Sequence, residues 1–282
     1  MKSGFVSVVG RTNAGKSSLI NYLLGTKIAM VSHKQNATRR KINAIVMNGE
    51  DQIIFVDTPG FTNKQKILNK LMNESALNSL KDCDLALFTA SIFDDLSEYE
   101  KFLQKQIPHL IAITKIDLAN DEQIFKKLSQ YQKYAEFFKA IIPVSTKKSA
   151  YKKILLDEIC KYLPEHEYFY NPEFLSSTNE KEIYKEFILE AIFQSVSDEV
   201  PYYSDVIVKK VIQKPEITHI IADIITDNEH HKKILISSIK RIGINARKLI
   251  CFLNKSKINI NLKVVTKRNT FKNKEHIAQL IQ

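Results

Sequence analysis

The sequence contains no tryptophan and only three cysteines in 282 residues. The cysteines (Cys83, Cys160 and Cys251) are far apart, form no CxxC pair and have no histidine beside them at ligand spacing. This distribution argues against a disulfide framework and against a CxxC-type zinc site. It predicts reduced, structural thiols, which are typical of cytosolic proteins.

Long apolar runs are also missing. No stretch approaches the roughly 20 residues that a membrane-spanning helix needs. The start, Met1-Lys2-Ser3-Gly4, leads directly into an apolar strand pattern, so we expect no signal peptide. With 44% hydrophobic and 26% charged residues, the composition is that of a globular protein. The length suits one large or two modest domains.

Acidic residues are absent from a long C-terminal segment. Residues 230–274 contain 13 lysines and arginines and neither aspartate nor glutamate. The net charge of +11 is therefore uneven, with +4 on residues 1–180 and +7 on residues 181–282. A one-sign block of this length indicates a polyanionic partner, either nucleic acid or an acidic membrane surface. The alternative is a solvated basic surface in a lysine-rich chain.

Strand and helix patterns alternate through residues 1–165. Apolar, β-branched runs predict strands at residues 5–9, 42–47, 52–56, 85–89, 110–114 and 141–144, with a hairpin turn at 48–51. Helical spacing occupies residues 17–24, 66–81, 95–106, 121–138 and 150–162. This alternation predicts an α/β domain with a mainly parallel sheet and helices on both faces.

A different pattern begins after residue 165. Residues 166–180 are polar and contain proline, which predicts a linker. Residues 181–282 form a smaller α+β domain by pattern. Its predicted elements are a helix near 180–196, strands at 206–212 and 217–225, a helix near 238–253 and a strand at 258–265. We expect its three strands to form an antiparallel-type sheet.

A glycine-containing turn between the first strand and the first helix carries the first functional motif. Glycines let backbone N–H groups surround phosphates, and the following helix adds its positive end. Lys16 supplies a cation for the outer phosphates, and Ser17 a hydroxyl for Mg²⁺. The phosphate-binding candidates are Gly10, Arg11, Thr12, Asn13, Ala14, Gly15, Lys16, Ser17 and Ser18. The alternative is an ordinary strand–helix turn with an incidental lysine.

Three further motifs each follow a predicted strand. In Asp57-Thr58-Pro59-Gly60, the further phosphate-binding candidates are Asp57, Thr58 and Gly60. Asp57 can hold Mg²⁺ through water, and the Gly60 N–H can bind the γ-phosphate. In Thr114-Lys115-Ile116-Asp117, Asp117 can accept hydrogen bonds from N1–H and the 2-amino group of guanine, a pair that adenine lacks. Ser145 and Thr146 support the base from the last strand. A DxPG turn or a helix N-cap would explain any one of these motifs alone.

Ordinary turns and helix caps, which could explain each motif alone, do not explain four motifs in this order. All four lie at the carboxyl end of a predicted strand, which is the edge where α/β sheets bind ligands. The sequence therefore predicts a site for GTP and GDP. A P-loop kinase is disfavoured, because such an enzyme has no need of the paired DTPG and TKID motifs.

The motif series GRTNAGKS, NATR, DTPG, TKID and VST resembles that of the bacterial Era GTPases. In the second domain, Glu199-Val200-Pro201-Tyr202 and residues 242–248 (IGINARK) resemble the family's E-[IV]-P-Y and IG-x-x-AR stretches. The resemblance covers nearly the whole chain. It implies a P-loop GTPase domain followed by a type II-like KH domain. It also implies binding to the 3′ region of small-subunit ribosomal RNA and a role in small-subunit assembly.

The resemblance extends to the metal ions. Thr38 of the NATR motif matches the switch threonine that joins Ser17 on Mg²⁺, while Asp57 acts through water. Phe61 stands where many GTPases have a water-orienting glutamine. Asn13 matches the asparagine that supports a K⁺ ion, so we expect slow hydrolysis that K⁺ accelerates. For Asn13 the alternative is a turn residue that tolerates unusual backbone angles.

Two departures from the family pattern stand out. Thr114 replaces the usual asparagine, which predicts weaker nucleotide binding at most. The G-x-x-G loop, with which a KH domain grips nucleic-acid backbone, looks deleted between Lys232 and Gly243. The basic residues that remain are candidates for RNA binding: Lys232, Lys233, Lys240, Arg241, Arg247 and Lys248.

Two functions stay open on this basis. One is a GTP-hydrolysing switch that binds ribosomal RNA and the small ribosomal subunit. The other is a nucleotide-dependent interaction protein whose degenerate KH domain contacts ribosomal proteins or the inner membrane. In either case we expect a monomer in the cytoplasm, with peripheral contact to the cytoplasmic face of the inner membrane as a further option.

Overall fold

The computed structural model describes residues 1–32, 34, 40–60, 74, 76, 78–197, 199–253 and 256–267. The N-terminal part contains a six-stranded sheet in the order β2-β3-β1-β4-β5-β6. The strands are β1 (Ser3–Val9), β2 (Ile42–Asn48), β3 (Asp51–Asp57), β4 (Leu85–Ser91), β5 (His109–Thr114) and β6 (Ile141–Pro143). Only the β2–β3 pair is antiparallel among these strands. The predicted mainly parallel sheet is confirmed.

Four described helices accompany this sheet: α1 (Lys16–Leu24), α2 (Ser97–Leu103), α3 (Asp121–Tyr131) and α4 (Ala150–Lys161). On one face, Leu19 of α1 and Ile159 of α4 pack on the strands. On the other, Tyr99 of α2 and Tyr131 of α3 do so. The apolar strands are therefore covered on both sides, as a parallel sheet requires.

Some helix bounds differ from the prediction. Helix α1 ends as expected at Gly25, which has a φ of +86° and donates its N–H to the Asn21 carbonyl at 2.9 Å. Helix α3 is shorter than the expected 121–138, since it ends at Tyr131 and a 3₁₀ turn, Gln132–Tyr134, follows it. Helix α2 is likewise shorter than 95–106. The helix expected at 66–81 lies mostly outside the described residues.

The predicted hairpin is present between β2 and β3. Asn48 pairs with Asp51, so the turn itself is the two residues Gly49 and Glu50. Gly49 has a φ of +63°, the left-handed backbone that two-residue hairpin turns favour. Because β2 is antiparallel to β3, β2 begins near the edge where the parallel strands end, with Ile42 opposite Asp57.

The C-terminal module, residues 180–267, has two helices and a second sheet. Its helices are α5 (Glu180–Ser195) and α6 (Glu229–Cys251), and its strands are β7 (Ser204–Gln213), β8 (Ile217–Thr226) and β9 (Lys257–Thr266). Strands β7 and β8 are antiparallel, but β8 and β9 are parallel. The expected antiparallel-type sheet is therefore wrong for β9. A single helix crosses from the end of β8 to the start of β9, and this crossover imposes the parallel pairing.

Helix α6 begins nine residues earlier than predicted. Asn228 caps it by accepting the His231 N–H at 2.7 Å. His230 and His231 thus belong to the first helical turn and not to a loop, and His231 is buried. Helical structure continues without interruption from Glu229 to Cys251. Cys251 is exposed at its end, so the expectation of a structural role fails for this thiol.

The expected linker is fixed along the first sheet. The buried side chain of Gln52 donates to the Tyr170 carbonyl at 2.7 Å and accepts the N–H groups of Phe169 and Tyr170 at 3.0 and 3.1 Å. The Ile45 N–H donates to the Leu175 carbonyl at 3.0 Å. Strands β2 and β3 therefore hold the segment that leads into α5.

A buried ion cluster connects the residue before β2 to α5 and β7 of the C-terminal module. Arg40, just before β2, donates to Glu186 of α5 at 2.9 Å and to both carboxylate oxygens of Asp205 at 2.9 and 3.0 Å. All three side chains are at most 3% exposed. Burial raises the pKa of the Glu186 carboxyl, although the Arg40 charge opposes this. A cation at position 40 is thus needed to compensate two buried acids.

We expect Arg40→Met to lower the free energy of unfolding by about 3–5 kcal/mol, because it removes the hydrogen-bonded cation of two buried carboxylates and, among the described residues, leaves Asp205 only Lys185 at 3.9 Å. The measurement is the midpoint of the first urea-induced transition. Lys41→Met is the matched control, since Lys41 is exposed and should change stability by less than about 0.5 kcal/mol. Adding Glu186→Gln and Asp205→Asn to Arg40→Met should recover part of the loss. An unchanged midpoint for Arg40→Met alone would contradict this account.

Candidate nucleotide site

The P-loop, residues 10–17, connects β1 to α1 and packs closely on its neighbours. Gly10 has a φ of +143°, and a Cβ there would lie 2.1 Å from the Thr89 carbonyl oxygen of β4. Gly15 and Asn13 also have left-handed backbones, with φ of +98° and +64°. The value for Asn13 agrees with the alternative of a turn residue that tolerates such angles. Glycine at position 10 lets the loop sit against the sheet.

Side-chain donors occupy the carbonyl groups of this loop. The Lys16 ammonium donates to the carbonyls of Gly10 at 3.2 Å and Arg11 at 2.9 Å. Burial lowers the Lys16 pKa to about 8 despite the nearby Asp57 carboxylate. With its carbonyls directed to these donors, the loop can turn its N–H groups toward an anion.

Two of the candidate Mg²⁺ ligands, Ser17 and Asp57, are in contact. The Ser17 hydroxyl donates to Asp57 Oδ2 at 2.7 Å. The other carboxylate oxygen, Asp57 Oδ1, is buried and has no hydrogen-bond partner in the described structure. Burial raises the Asp57 pKa to about 7. A buried carboxylate with one free oxygen beside a hydroxyl fits a divalent cation, whose charge would offset the cost of burial. Thr38 and Phe61 lie outside the described residues.

The DTPG segment lies directly on the P-loop. A Cβ on Gly60 would come within 2.8 Å of the Thr12 Cα, so only glycine allows this approach. The Thr58 hydroxyl donates to the Val8 carbonyl at 2.7 Å and is fully buried. The Thr58 side chain therefore anchors the segment to β1, and only its backbone is left for phosphate.

Thr114 connects the base side of the site to the P-loop. Its buried hydroxyl donates to the Ala14 carbonyl at 2.5 Å. Lys115 has a φ of +60°, and its ammonium donates to the Asn13 carbonyl at 2.7 Å. The Thr114 side chain thus connects the base loop to the P-loop. The weaker nucleotide binding predicted for Thr114 stays a prediction.

Asp117 is held with both oxygens facing donors. Ser145 Oγ donates to Oδ1 at 2.9 Å, and the Lys147 ammonium lies 2.8 Å from Oδ2. The hydrogen bond from Lys147, with that from Ser145, lowers the Asp117 pKa, so the carboxylate is ionised and can accept from a base. Thr146 is exposed beside it. The sequence pattern included Lys147 but assigned it no role.

A cavity beside the P-loop marks the phosphate side. It is lined by Thr12, Asn13, Gly15, Lys16, Ser17, Ser18, Met30, Val31, Ser32, Lys34 and Gly60. The motifs predicted the P-loop residues and Gly60. They did not predict residues 30–32 and 34, because these carry no recognisable spacing and reach the cavity only through the folded connection between α1 and β2.

Candidate RNA-binding residues are distributed along α6 of the C-terminal module. Lys233, Lys240, Arg247 and Lys248 are exposed, and the first three, at intervals of seven residues, share one face. Two other candidates have partners: the Lys232 ammonium lies 3.3 Å from Glu229, and Arg241 donates to the Ser195 carbonyl. We call the exposed set, Lys233, Lys240, Arg247 and Lys248, the basic stripe. No glycine loop interrupts it, as the sequence indicated.

Comparisons with known proteins agree with this geometry. A family model described as "50S ribosome-binding GTPase" matches residues 5–115. A protein described as GTPase Era from Campylobacter fetus subsp. fetus is 62% identical over 99% of both chains. Another, from Campylobacter concisus, is 56% identical over 100% of this chain and 99% of its own.

Two solved structures are similar over the full length. One is an Aquifex aeolicus Era variant bound to GDP·AlF₄⁻, with a TM-score of 0.91 and 28% identity over 99% of each chain. The other is Era in complex with MgGDPNP and nucleotides 1506–1542 of 16S ribosomal RNA. It also has a TM-score of 0.91 and 28% identity, over 99% of this chain and 98% of its own.

We expect Asp117→Asn to weaken GTP binding by about 100-fold or more, because two charge-assisted hydrogen bonds to guanine are lost. The amide should improve binding of xanthosine triphosphate, whose C2 carbonyl can accept from it. Competition against labelled nucleotide measures both. Asp121→Asn, which changes an exposed carboxylate at the start of α3, is the control. A variant at position 117 that still prefers GTP would contradict the assignment.

Proposed function

Because this chain belongs to the Era family of GTPases, we propose that it hydrolyses GTP to GDP and phosphate and binds small-subunit ribosomal RNA during assembly of the small subunit. The observation that carries the nucleotide part is the meeting of the P-loop, Asp57, Gly60 and Asp117 at one edge of the first sheet. That edge is where parallel α/β sheets bind ligands.

We assign the phosphates to the P-loop, with Lys16 on the outer phosphates and the Gly60 N–H at the γ-phosphate. Guanine faces Asp117, with Thr114, Lys115, Ser145 and Thr146 shaping its side of the site. Ser17, Asp57 and Thr38 hold Mg²⁺, which supplies charge neutralisation at the phosphates. The solved relative with MgGDPNP supports this ion.

We propose two domains joined by a linker. Residues 1–165 form the nucleotide domain, 166–180 the linker and 181–282 the KH-like domain. We further propose that the protein works as a monomer in the cytoplasm, with peripheral contact to the inner membrane as an additional option. None of the described helices qualifies as a membrane span.

Hydrolysis in this site depends on a group other than glutamine, because Phe61 follows Gly60. We propose that Asn13 supports a K⁺ ion beside the phosphates. The P-loop backbone at Asn13, with its φ of +64°, places this residue in the wall of the phosphate cavity.

We expect GTP turnover to be roughly tenfold faster in KCl than in NaCl, a difference of about 1.4 kcal/mol in the barrier. Asn13→Gly should remove that difference while keeping the left-handed backbone that the loop needs. The rates are measured as phosphate release at equal ionic strength, with GTP affinity as the control. Equal rates of the unmodified protein in the two salts would refute the K⁺ proposal.

The RNA part rests on the solved Era complex with 16S ribosomal RNA and on the basic stripe. A KH glycine loop offers backbone N–H groups to phosphates, whereas an uninterrupted helix can offer only side chains. We therefore propose that the stripe contributes mainly electrostatic contacts, whose strength falls steeply with salt. The alternative, an interaction module without sequence preference, has no specific observation in its favour.

We expect the triple variant Lys233→Ala, Lys240→Ala, Arg247→Ala to bind a single-stranded oligonucleotide from the small-subunit RNA 3′ region about 10- to 100-fold more weakly at low salt. The slope of log affinity against log salt should fall by about 2 in magnitude. Lys105→Ala, Lys126→Ala, Lys139→Ala removes the same charge from exposed sites of the first domain and should bind normally.

Two outcomes would count against the proposal. Unchanged binding by the stripe variant would remove the stripe from the RNA site. Equal affinity of the unmodified protein for a scrambled oligonucleotide would favour the interaction-module alternative. Addition of small ribosomal subunits should accelerate GTP hydrolysis by the unmodified protein but much less by the stripe variant.

A further inference from the structure

Lys34 lies between the phosphate cavity and the C-terminal module. It lines the cavity together with Lys16, Ser17 and Gly60. Its ammonium donates to the Val196 carbonyl at 2.6 Å, at the C-terminal end of α5. We infer that Lys34 binds the terminal phosphate of GTP and leaves the end of α5 to do so. This inference rests on the proposed function, since it concerns the same nucleotide.

The residues around Lys34 identify the part of the nucleotide it would meet. Lys16 and Ser17 belong to the end of a P-loop that holds the outer phosphates and Mg²⁺. Gly60, which follows Asp57 by three residues, lies against Thr12 in the same wall. Asp117, on the base side, does not line this cavity. Lys34 therefore stands at the terminal-phosphate end.

Electrostatics favour the phosphate over the present partner. The carbonyl at the end of α5 carries the partial negative charge of a helix C-terminus. The terminal phosphate of GTP carries full negative charge and makes stronger, charge-assisted hydrogen bonds. A lysine stem has four rotatable carbons, so the ammonium can move between two acceptors without moving the backbone. In GDP the terminal phosphate is absent, and the Val196 carbonyl remains the available acceptor.

Other contacts hold the α1–β2 connection to α5 without Lys34. Lys27 pairs with Glu190 at 2.6 Å, and the Val31 N–H donates to the same carboxylate at 3.1 Å. Arg40 remains buried with Glu186. Transfer of Lys34 to phosphate would therefore loosen the end of α5 and would not detach the module.

The test compares nucleotides that differ in the terminal phosphate. We expect Lys34→Met to weaken binding of MgGDPNP by about 10- to 100-fold, and to change MgGDP binding less than about threefold, both by titration calorimetry on the full chain. Lys34→Arg should restore most of the MgGDPNP affinity. Lys41→Met, an exposed lysine of the same connection, is the matched control and should change neither.

A purely structural role gives a different result. Equal weakening of both nucleotides by Lys34→Met would show that Lys34 only supports the fold, and unchanged binding of both would exclude a phosphate contact. Failure of the unmodified protein to bind either nucleotide would instead overturn the proposed function.

A second measurement needs no variant. Amide hydrogen exchange of residues 192–197 in the unmodified protein should be faster with MgGDPNP than with MgGDP, because the C-terminal turn of α5 loses its Lys34 contact. The same exchange rate with both nucleotides would overturn the inference.

Discussion

The nucleotide site depends on how the carbonyl groups of the P-loop are occupied. Lys16 takes those of Gly10 and Arg11, Lys115 takes that of Asn13, and Thr114 takes that of Ala14. These donors come from the loop's own helix and from the strand two positions away. With its carbonyls bound to them, the loop holds its shape before any phosphate arrives, and less ordering remains to be done on binding.

Which residues meet at the nucleotide site could largely be predicted from the sequence. Parallel strands bring their carboxyl ends to one edge of the sheet, whatever the order of the strands in it. Asp57, Thr114 and Ser145 each follow an apolar run, so their meeting required only a parallel sheet. The roles of individual side chains could not be predicted equally well. Thr58 belongs to the DTPG motif, yet its hydroxyl donates to the Val8 carbonyl and is not available to phosphate. Lys147, with no assigned role, reaches Asp117.

The C-terminal module shows where pattern reasoning fails. The run Ile234-Leu235-Ile236 is β-branched enough to suggest that the helix starts later, and the missing glycine loop gave no positive signal for what replaces it. Asn228 decides the outcome locally, since its cap starts the helix well before the expected residue. A helix of 23 residues then fixes β9 parallel to β8.

Contacts between the two parts of the chain lie beyond any motif, because their partners are about 146–165 positions apart. Arg40 is an unremarkable charge in the sequence, but in the structure it neutralises two buried acids that would otherwise destabilise α5 and β7. Arg40 is the residue of this cluster that is hardest to replace, since its loss removes the close cation partner of both acids at once. Lys34, on the same connection, donates to the Val196 carbonyl, which is a weaker acceptor than a phosphate. The connection between α1 and β2 thus combines a permanent electrostatic attachment with an exchangeable one, and only the second can respond to the nucleotide.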